Sequence, residues 1–275
     1  MELKSPYSKY YHRKALSRRY NKTIYLVYYE PEKGLPHIAI QKVYPNTPEL
    51  KAIADHEANI MKTASENNPY VVEYYDTEVT STEIRIYMEF LPQKTLSYKL
   101  FKYRASNRIF QLPKLLQAIE HLSTGLCKLH SIGLMHRDIK SENIYCSPER
   151  MKLGDFGESS LSDAPIYSIH GTQQHLPPEL FFYSGGEIDY KAVDVWCLGK
   201  VFLEMILSEP MISLEFEMQV ERKYPLAIAE KILEAPAEFR NTRLPRLIFR
   251  MLAYRPAERP EMQQVREEAS SFVAG

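Results

Sequence analysis

The sequence predicts an α+β protein in two lobes, a small β-rich N-lobe with one main helix and a larger, mainly helical C-lobe. Two observations predict this. Runs rich in β-branched and aromatic residues, TIYLVYY, HIAIQKVY, VVEYYDTEVT and EIRIYMEF, all fall before residue 91, whereas beyond Leu96 apolar residues recur at helical spacing. The loop LPQKTL separates the two parts, so the expected boundaries are 1–91 and 92–275. A chain of 275 residues is long enough to bury a full core.

The first two runs are joined by EPEKGLP, whose Pro and Gly suit a turn between antiparallel strands. Thr47 and Pro48 have the chemistry of an N-cap and a first-turn proline, opening a helix that runs to about Ser65 and stops at the breaker NNP. Ile53, Ile60, Met61 and Ala64 mark its apolar face, and Glu57 falls within that stripe. A carboxylate there needs a partner, because burying it alone is costly. After the second strand pair, Leu115, Leu116, Ile119, Leu122, Leu126 and Leu129 define the longest helix, which Gly133 ends. NIYCSPERMKLGDF reads as two short strands around a Ser-Pro turn, and AVDVWCLGKVFLEMIL as a buried helix. No internal repeat or low-complexity segment interrupts this order.

Lys+Arg and Asp+Glu balance at 35 each, which argues against nucleic acid or an anionic membrane as the main partner. The first 22 residues are locally basic, with Lys4, Lys9, Arg13, Lys14, Arg18, Arg19 and Lys22 against Glu2, and are expected to form a solvated arm, with a phosphate-attracting or docking segment as the alternative. Cys127, Cys146 and Cys197 have no metal-ligand spacing and suit a reducing compartment. No apolar h-region or membrane span is read, so the expected location is cytoplasmic or nuclear.

The chemistry concentrates in HRDIKSENIY, residues 136–145, and in GDFG, which carries Asp155. Asn143 and Asp155 are hard oxygen donors suited to Mg²⁺, which takes one or two carboxylates and completes its shell with phosphate oxygens and water. Asp138 is then left to receive a proton, and Lys140 stands beside the transferring group. The set suits in-line phosphoryl transfer from ATP to a hydroxyl.

These motifs resemble the H-R-D-x-K-x-x-N catalytic loop and the DFG triplet of the eukaryotic protein kinases. GTQQHLPPE, residues 171–179, is similar to the end of the family's activation segment, with Thr172 near the substrate and Glu179 in the A-P-E position. DVWCLG matches the helix whose aspartate, here Asp194, braces the catalytic loop, and Arg259 matches the arginine that pairs with Glu179. The resemblance covers about 15–265 and implies the two-lobed protein kinase fold, ATP and Mg²⁺ as cofactors, a protein substrate, and an activating or scaffold protein as a further partner. It further implies a gatekeeper at Met88, a hinge at Glu89, Phe90 and Leu91 that meets adenine, and phosphorylation at Ser168, whose added charge Arg137 could pair. Lys140 favours Ser/Thr as acceptor.

Two family features depart from the pattern. Aligned without gaps, the glycine-loop positions fall on Ser17, Arg19 and Lys22, and V-A-I-K reads I-A-I-Q, placing Gln41 where lysine belongs. Lys42 is one residue along the strand and is expected on the opposite face. Lys22, at the third glycine position, is then the candidate cation for ATP phosphate and for Glu57, a placement similar to that in the with-no-lysine (WNK) kinases. Two functions follow from different classes: an active protein kinase, or a pseudokinase acting as scaffold or allosteric partner, which the loss of loop glycines would suit.

Overall fold

The structure is a computed structural model that describes residues 12–19, 21–28, 38–161, 169–171, 175–209 and 223–273. The chain divides into two compact units, Met1–Pro92 and Gln93–Gly275.

The first unit is built on a five-stranded antiparallel sheet of order β1-β2-β3-β5-β4, with β1 His12–Arg18, β2 Thr23–Tyr28, β3 Ile38–Pro45, β4 Tyr74–Val79 and β5 Glu83–Glu89. Residues 12–18 are therefore a strand, which corrects the expected solvated arm over that span. Its edge position accounts for the basic composition, since Lys14 and Arg18 face solvent while the backbone pairs with β2. Helix α1, Pro48–Ser65, starts where Thr47 Oγ1 accepts the Leu50 N–H at 3.3 Å and packs on β3, β4 and β5. Its buried face is Ala54, Glu57, Ala58, Ile60, Met61 and Ala64. Ile53, expected on that face, is exposed although it shares the angular position of Ile60: it lies toward the N-terminal end of α1, before the first buried residue, Ala54.

The second unit is mainly helical: α2 Leu96–Ala105, α3 Leu112–Ser131, α4 Pro178–Phe181, α5 Tyr190–Leu207, α6 Tyr224–Leu233, α7 Ala237–Arg240, α8 Leu244–Met251 and α9 Met262–Val273. Two strand pairs, β6 Leu134–Met135 with β9 Ser160–Leu161 and β7 Ile144–Cys146 with β8 Met151–Leu153, hold the motif loops. Helix α5 is the hub. Its run Tyr190–Leu207 buries residues on every side, so its core-facing surface cannot be read from a stripe. Helix α8 comes so close that a Cβ on Gly199 would lie 2.7 Å from Met251 Cβ. Among the described residues no helix is long and apolar enough to cross a membrane, and Cys127, Cys146 and Cys197 are free and buried.

Candidate active site

In the second unit the motif loop leaves β6 and is fixed from below by Asp194 of α5, which is fully buried. One carboxylate oxygen accepts the His136 N–H at 2.8 Å and faces His130 Nε2 at 2.9 Å; the other accepts the Arg137 N–H at 2.8 Å. These bonds hold Arg137 at φ +66°, a left-handed conformation that an arginine adopts only when its surroundings impose it. His136 ties the loop to the second motif. Its Nδ1 accepts the Asp138 N–H at 3.4 Å, which leaves Nε2 to donate to Gly154 O at 3.2 Å, and its ring packs 5.0 Å from Phe156.

One turn further, the Asp138 carboxylate is oriented by two donors on Oδ2, Lys140 Nζ at 2.7 Å and Asn143 Nδ2 at 2.9 Å. Asn143 Nδ2 also donates to Asp138 O at 2.9 Å, and Asn143 O accepts the Gly154 N–H at 2.9 Å. Asp155 therefore follows directly on a residue bonded to Asn143, and its own φ of +64° turns the chain sharply there. Among the described residues no cluster of three or more His, Cys, Asp or Glu side chains could hold a metal. One carboxylate and one amide suit a Mg²⁺ ion that draws its remaining ligands from phosphate and water.

The first unit places its cations differently from the sequence expectation. Lys42 Nζ donates to Glu57 Oε1 and Tyr44 OH donates to Glu57 Oε2; Lys42 and Glu57 are both almost fully buried. Gln41 lies on the other face of β3, where Nε2 donates to Tyr87 OH at 2.8 Å, and Tyr87 OH donates to Glu78 Oε2 at 3.0 Å. Burial, and then the Glu78 carboxylate, push the Tyr87 phenol up, so it stays a donor. The expectation that Lys42 points away from Glu57 is thus corrected. Strand alternation holds, but in a different register: counted from Ala39, the segment reads A-I-Q-K, and the lysine stands in fourth place. Lys22, in the turn between β1 and β2, lies 4.0 Å from Glu57 Oε2 and 5.8 Å from the Tyr44 ring, a second cation on the same carboxylate. In that turn the Arg19 N–H donates to Lys22 O at 2.9 Å.

The sequence profile of the protein kinase domain matches residues 36–269. The chain belongs to the protein kinase family. It is 27% identical over 227 residues to the serine/threonine-protein kinase Nek8 of Danio rerio, covering 81% of this chain and 31% of that protein. It is 30% identical over 173 residues to a cAMP-dependent protein kinase, catalytic subunit-like, of Caenorhabditis elegans, covering 62% and 41%. With mitogen-activated protein kinase kinase kinase 3 of Arabidopsis thaliana the identity is 33% over 153 residues, covering 54% and 24%. The matches thus span less than half the length of these relatives.

Downstream in this kinase-family chain, Arg259 clamps Glu179 bidentately at 2.6 and 2.7 Å and also donates to the carbonyls of Ala253, Ala192 and Tyr254. The Arg137 guanidinium lies 4.9 Å over the Tyr190 ring. Gly171 has φ +111°, and a Cβ there would meet Arg137 O at 3.1 Å, so the segment needs glycine at this point. Ser168 and Thr172 lie outside the described residues. Met88 and Glu89 end β5 with Met88 buried, the Glu89 N–H donates to Glu73 O at 3.0 Å, and Leu91 is buried just beyond. Sequence reasoning missed Lys42 and Tyr44 as partners of Glu57. It also missed His175, whose Nδ1 sits 3.0 Å from the buried Lys200 Nζ; a lone histidine and a helix lysine far apart in sequence give no signal of such a pair.

Proposed function

We propose that the chain is a protein serine/threonine kinase that transfers the γ-phosphate of Mg-ATP to Ser or Thr hydroxyls of protein substrates. The observation that carries this reading is the Asp138 carboxylate oriented jointly by Lys140 and Asn143. Asp138 would receive the hydroxyl proton as the acceptor oxygen forms its bond to the γ-phosphorus and the bond from that phosphorus to the β–γ bridging oxygen breaks, releasing ADP, and Lys140 would steady the negative charge that spreads over the transferring group. Asn143 and Asp155 would hold Mg²⁺, and Lys42, positioned by Glu57, would bind phosphate oxygens. Bound Mg-ATP would supply the phosphoryl group and the neutralising metal charge. The Lys42–Glu57 pair supports the reading, since a buried ion pair costs desolvation that a purely structural strand could avoid with apolar residues. Backbone groups of Glu89 and Leu91 are the expected adenine contacts, and Lys22 adds a second cation to the Glu57 site. The free, buried cysteines support a reducing compartment, cytoplasmic or nuclear.

A second reading, a pseudokinase scaffold, is favoured by one observation. Ser17 at the end of β1 and Arg19 and Lys22 in the turn that follows all carry side chains, and the Arg19 N–H is committed to Lys22 O at 2.9 Å, so that donor is turned inward. Phosphate transfer from Mg-ATP to a generic protein acceptor distinguishes the two. Wild type should transfer, and Asp138→Asn and Lys42→Met should each lose on the order of 100-fold or more. If Lys22→Met abolishes transfer while Lys42→Met retains it, the relocated lysine is the phosphate cation. Absence of transfer by wild type, together with no rise in melting temperature on adding Mg-ATP, would establish the scaffold reading.

A further inference from the structure

The chain is neutral overall, yet residues 90–119 contain Lys94, Lys99, Lys102, Arg104, Arg108 and Lys114 and no acidic residue. Most of this charge sits on and around α2. The helix buries Leu96 and Leu100 against β7 and the turn Ser141–Asn143, and turns Tyr98, Phe101, Lys102 and Ala105 to solvent at i, i+3, i+4 and i+7. Phe101 is 61% exposed, Ile109 45% and Tyr98 40%, a concentration of apolar surface amid cations.

The cations are pre-arranged by aromatic rings. Lys94 Nζ lies 3.9 Å over the Tyr98 ring and Lys102 Nζ 5.7 Å from it; Lys99 Nζ lies 5.2 Å over Phe110, and the Arg108 guanidinium 5.3 Å over Tyr103. Among the described residues, Arg104 meets the carboxylate of Glu209 at 3.2 Å, while Lys94, Lys99, Lys102 and Arg108 pair with no carboxylate. Lys94, followed by Lys102, holds the Tyr98 phenol below its ordinary value, a sign that the field here is positive and little compensated.

We propose that the outer face of α2 is a docking surface for an acidic segment of a protein partner, one that carries aromatic or aliphatic side chains among its carboxylates. Charge complementarity calls for an anionic occupant, and exposed Phe101 and Ile109 call for apolar groups beside the anions, which a nucleic-acid backbone does not offer. Tyr98 and Tyr103 already carry cations against their faces, so they are poor platforms for stacked bases. A helix of this length, about 15 Å, matches a short peptide rather than a run of duplex phosphates. Because the inner face of α2 rests on the turn that holds Asn143, a segment bound outside is tethered close to the loop bearing Asp138. The surface stands apart from the phosphoryl-transfer groups and does not depend on their activity.

The test is fluorescence anisotropy with a fluorescein-labelled synthetic peptide of Glu-Glu-Phe repeats. Wild type should bind, the triple reversal Lys94→Glu, Lys102→Glu, Arg108→Glu should weaken binding about 10- to 100-fold, and Phe101→Ala a few-fold. A matched reversal of exposed cations, Arg240→Glu, Arg243→Glu, Arg246→Glu, changes net charge equally and should leave affinity within about twofold. All variants replace exposed side chains and should unfold at the wild-type temperature. Failure of wild type to bind, or equal loss in both triple variants, would overturn the proposal. So would tighter binding through the same residues of labelled oligothymidylate or of phosphatidylserine vesicles, since the occupant would then be nucleic acid or lipid.

Discussion

Asp194→Asn isolates the brace beneath the catalytic loop. The carboxylate takes the His136 and Arg137 backbone donors on different oxygens, at 2.8 Å each. Asparagine keeps one oxygen and presents an NH₂ group where the other stood, so one backbone N–H faces a donor in a fully buried site. Losing a hydrogen bond to a charged acceptor costs about 1.5–3 kcal/mol, and leaving the partner unsatisfied brings the total to roughly 3–5 kcal/mol. For a unit of this size, each kcal/mol shifts the midpoint by about 2–4 °C, so the melting temperature should fall by roughly 6–20 °C. The assay is thermal unfolding followed by far-UV circular dichroism, with His130→Ala as reference. That variant removes the third donor alone, and its effect should be non-additive with Asp194→Asn because the two side chains touch. A fall of less than about 2 °C for Asp194→Asn would refute the view that Asp194 is the restraint on Arg137's left-handed backbone.

Three further outcomes follow from the packing. Gly199→Ala should cost about 1–3 kcal/mol in urea unfolding, because Met251 Cβ, anchored to its backbone, cannot swing away from a new atom at 2.7 Å; Gly157→Ala, with open space around it, should cost less than half of that. Glu179→Gln strips the charge partner from the buried Arg259 and should destabilise by about 3–5 kcal/mol, with Arg259→Lys unable to restore the two-pronged contact. Burial above all, helped by Lys200 and Lys140, holds His175 down to about 3. In the unfolded chain the ring takes up its proton near pH 6.5, so between there and about pH 3 acid favours unfolding, by up to ~1.4 kcal/mol per pH unit. His175→Gln keeps an acceptor for Lys200 and removes this share, and urea titrations at about pH 7 and 5 should show a shallower loss than in wild type; equal slopes would exclude the histidine as the source.

Local chemistry made much of this protein legible. Thr47-Pro48 sets the start of α1 because capping is decided within one turn; runs of β-branched and aromatic residues mark the strands β2 to β5, and the 3.6-residue spacing of leucines marks α3 because one face of it meets a core. HRDIKSEN and DFG point to the protein kinase family through residue types whose donor and acceptor properties belong to the side chains themselves. Glu57 was recognisable as a buried carboxylate in need of a cation for the same reason. Which cation answers it was decided by tertiary structure. Gln41 and Lys42 are adjacent in sequence and opposite in space, so a shift of one residue exchanges a polar link to Tyr87 for an ion pair with Glu57, and only the register of β3 against β2 and β5 fixes which face each takes. The strand at 12–18 and the pairing of His175 with Lys200 likewise depend on elements that meet only when the chain is folded, whereas the brace from Asp194 is expected through the family resemblance and the structure supplies its two backbone partners, residues 136 and 137. A sequence states which groups need partners; distance in three dimensions decides which partners they find.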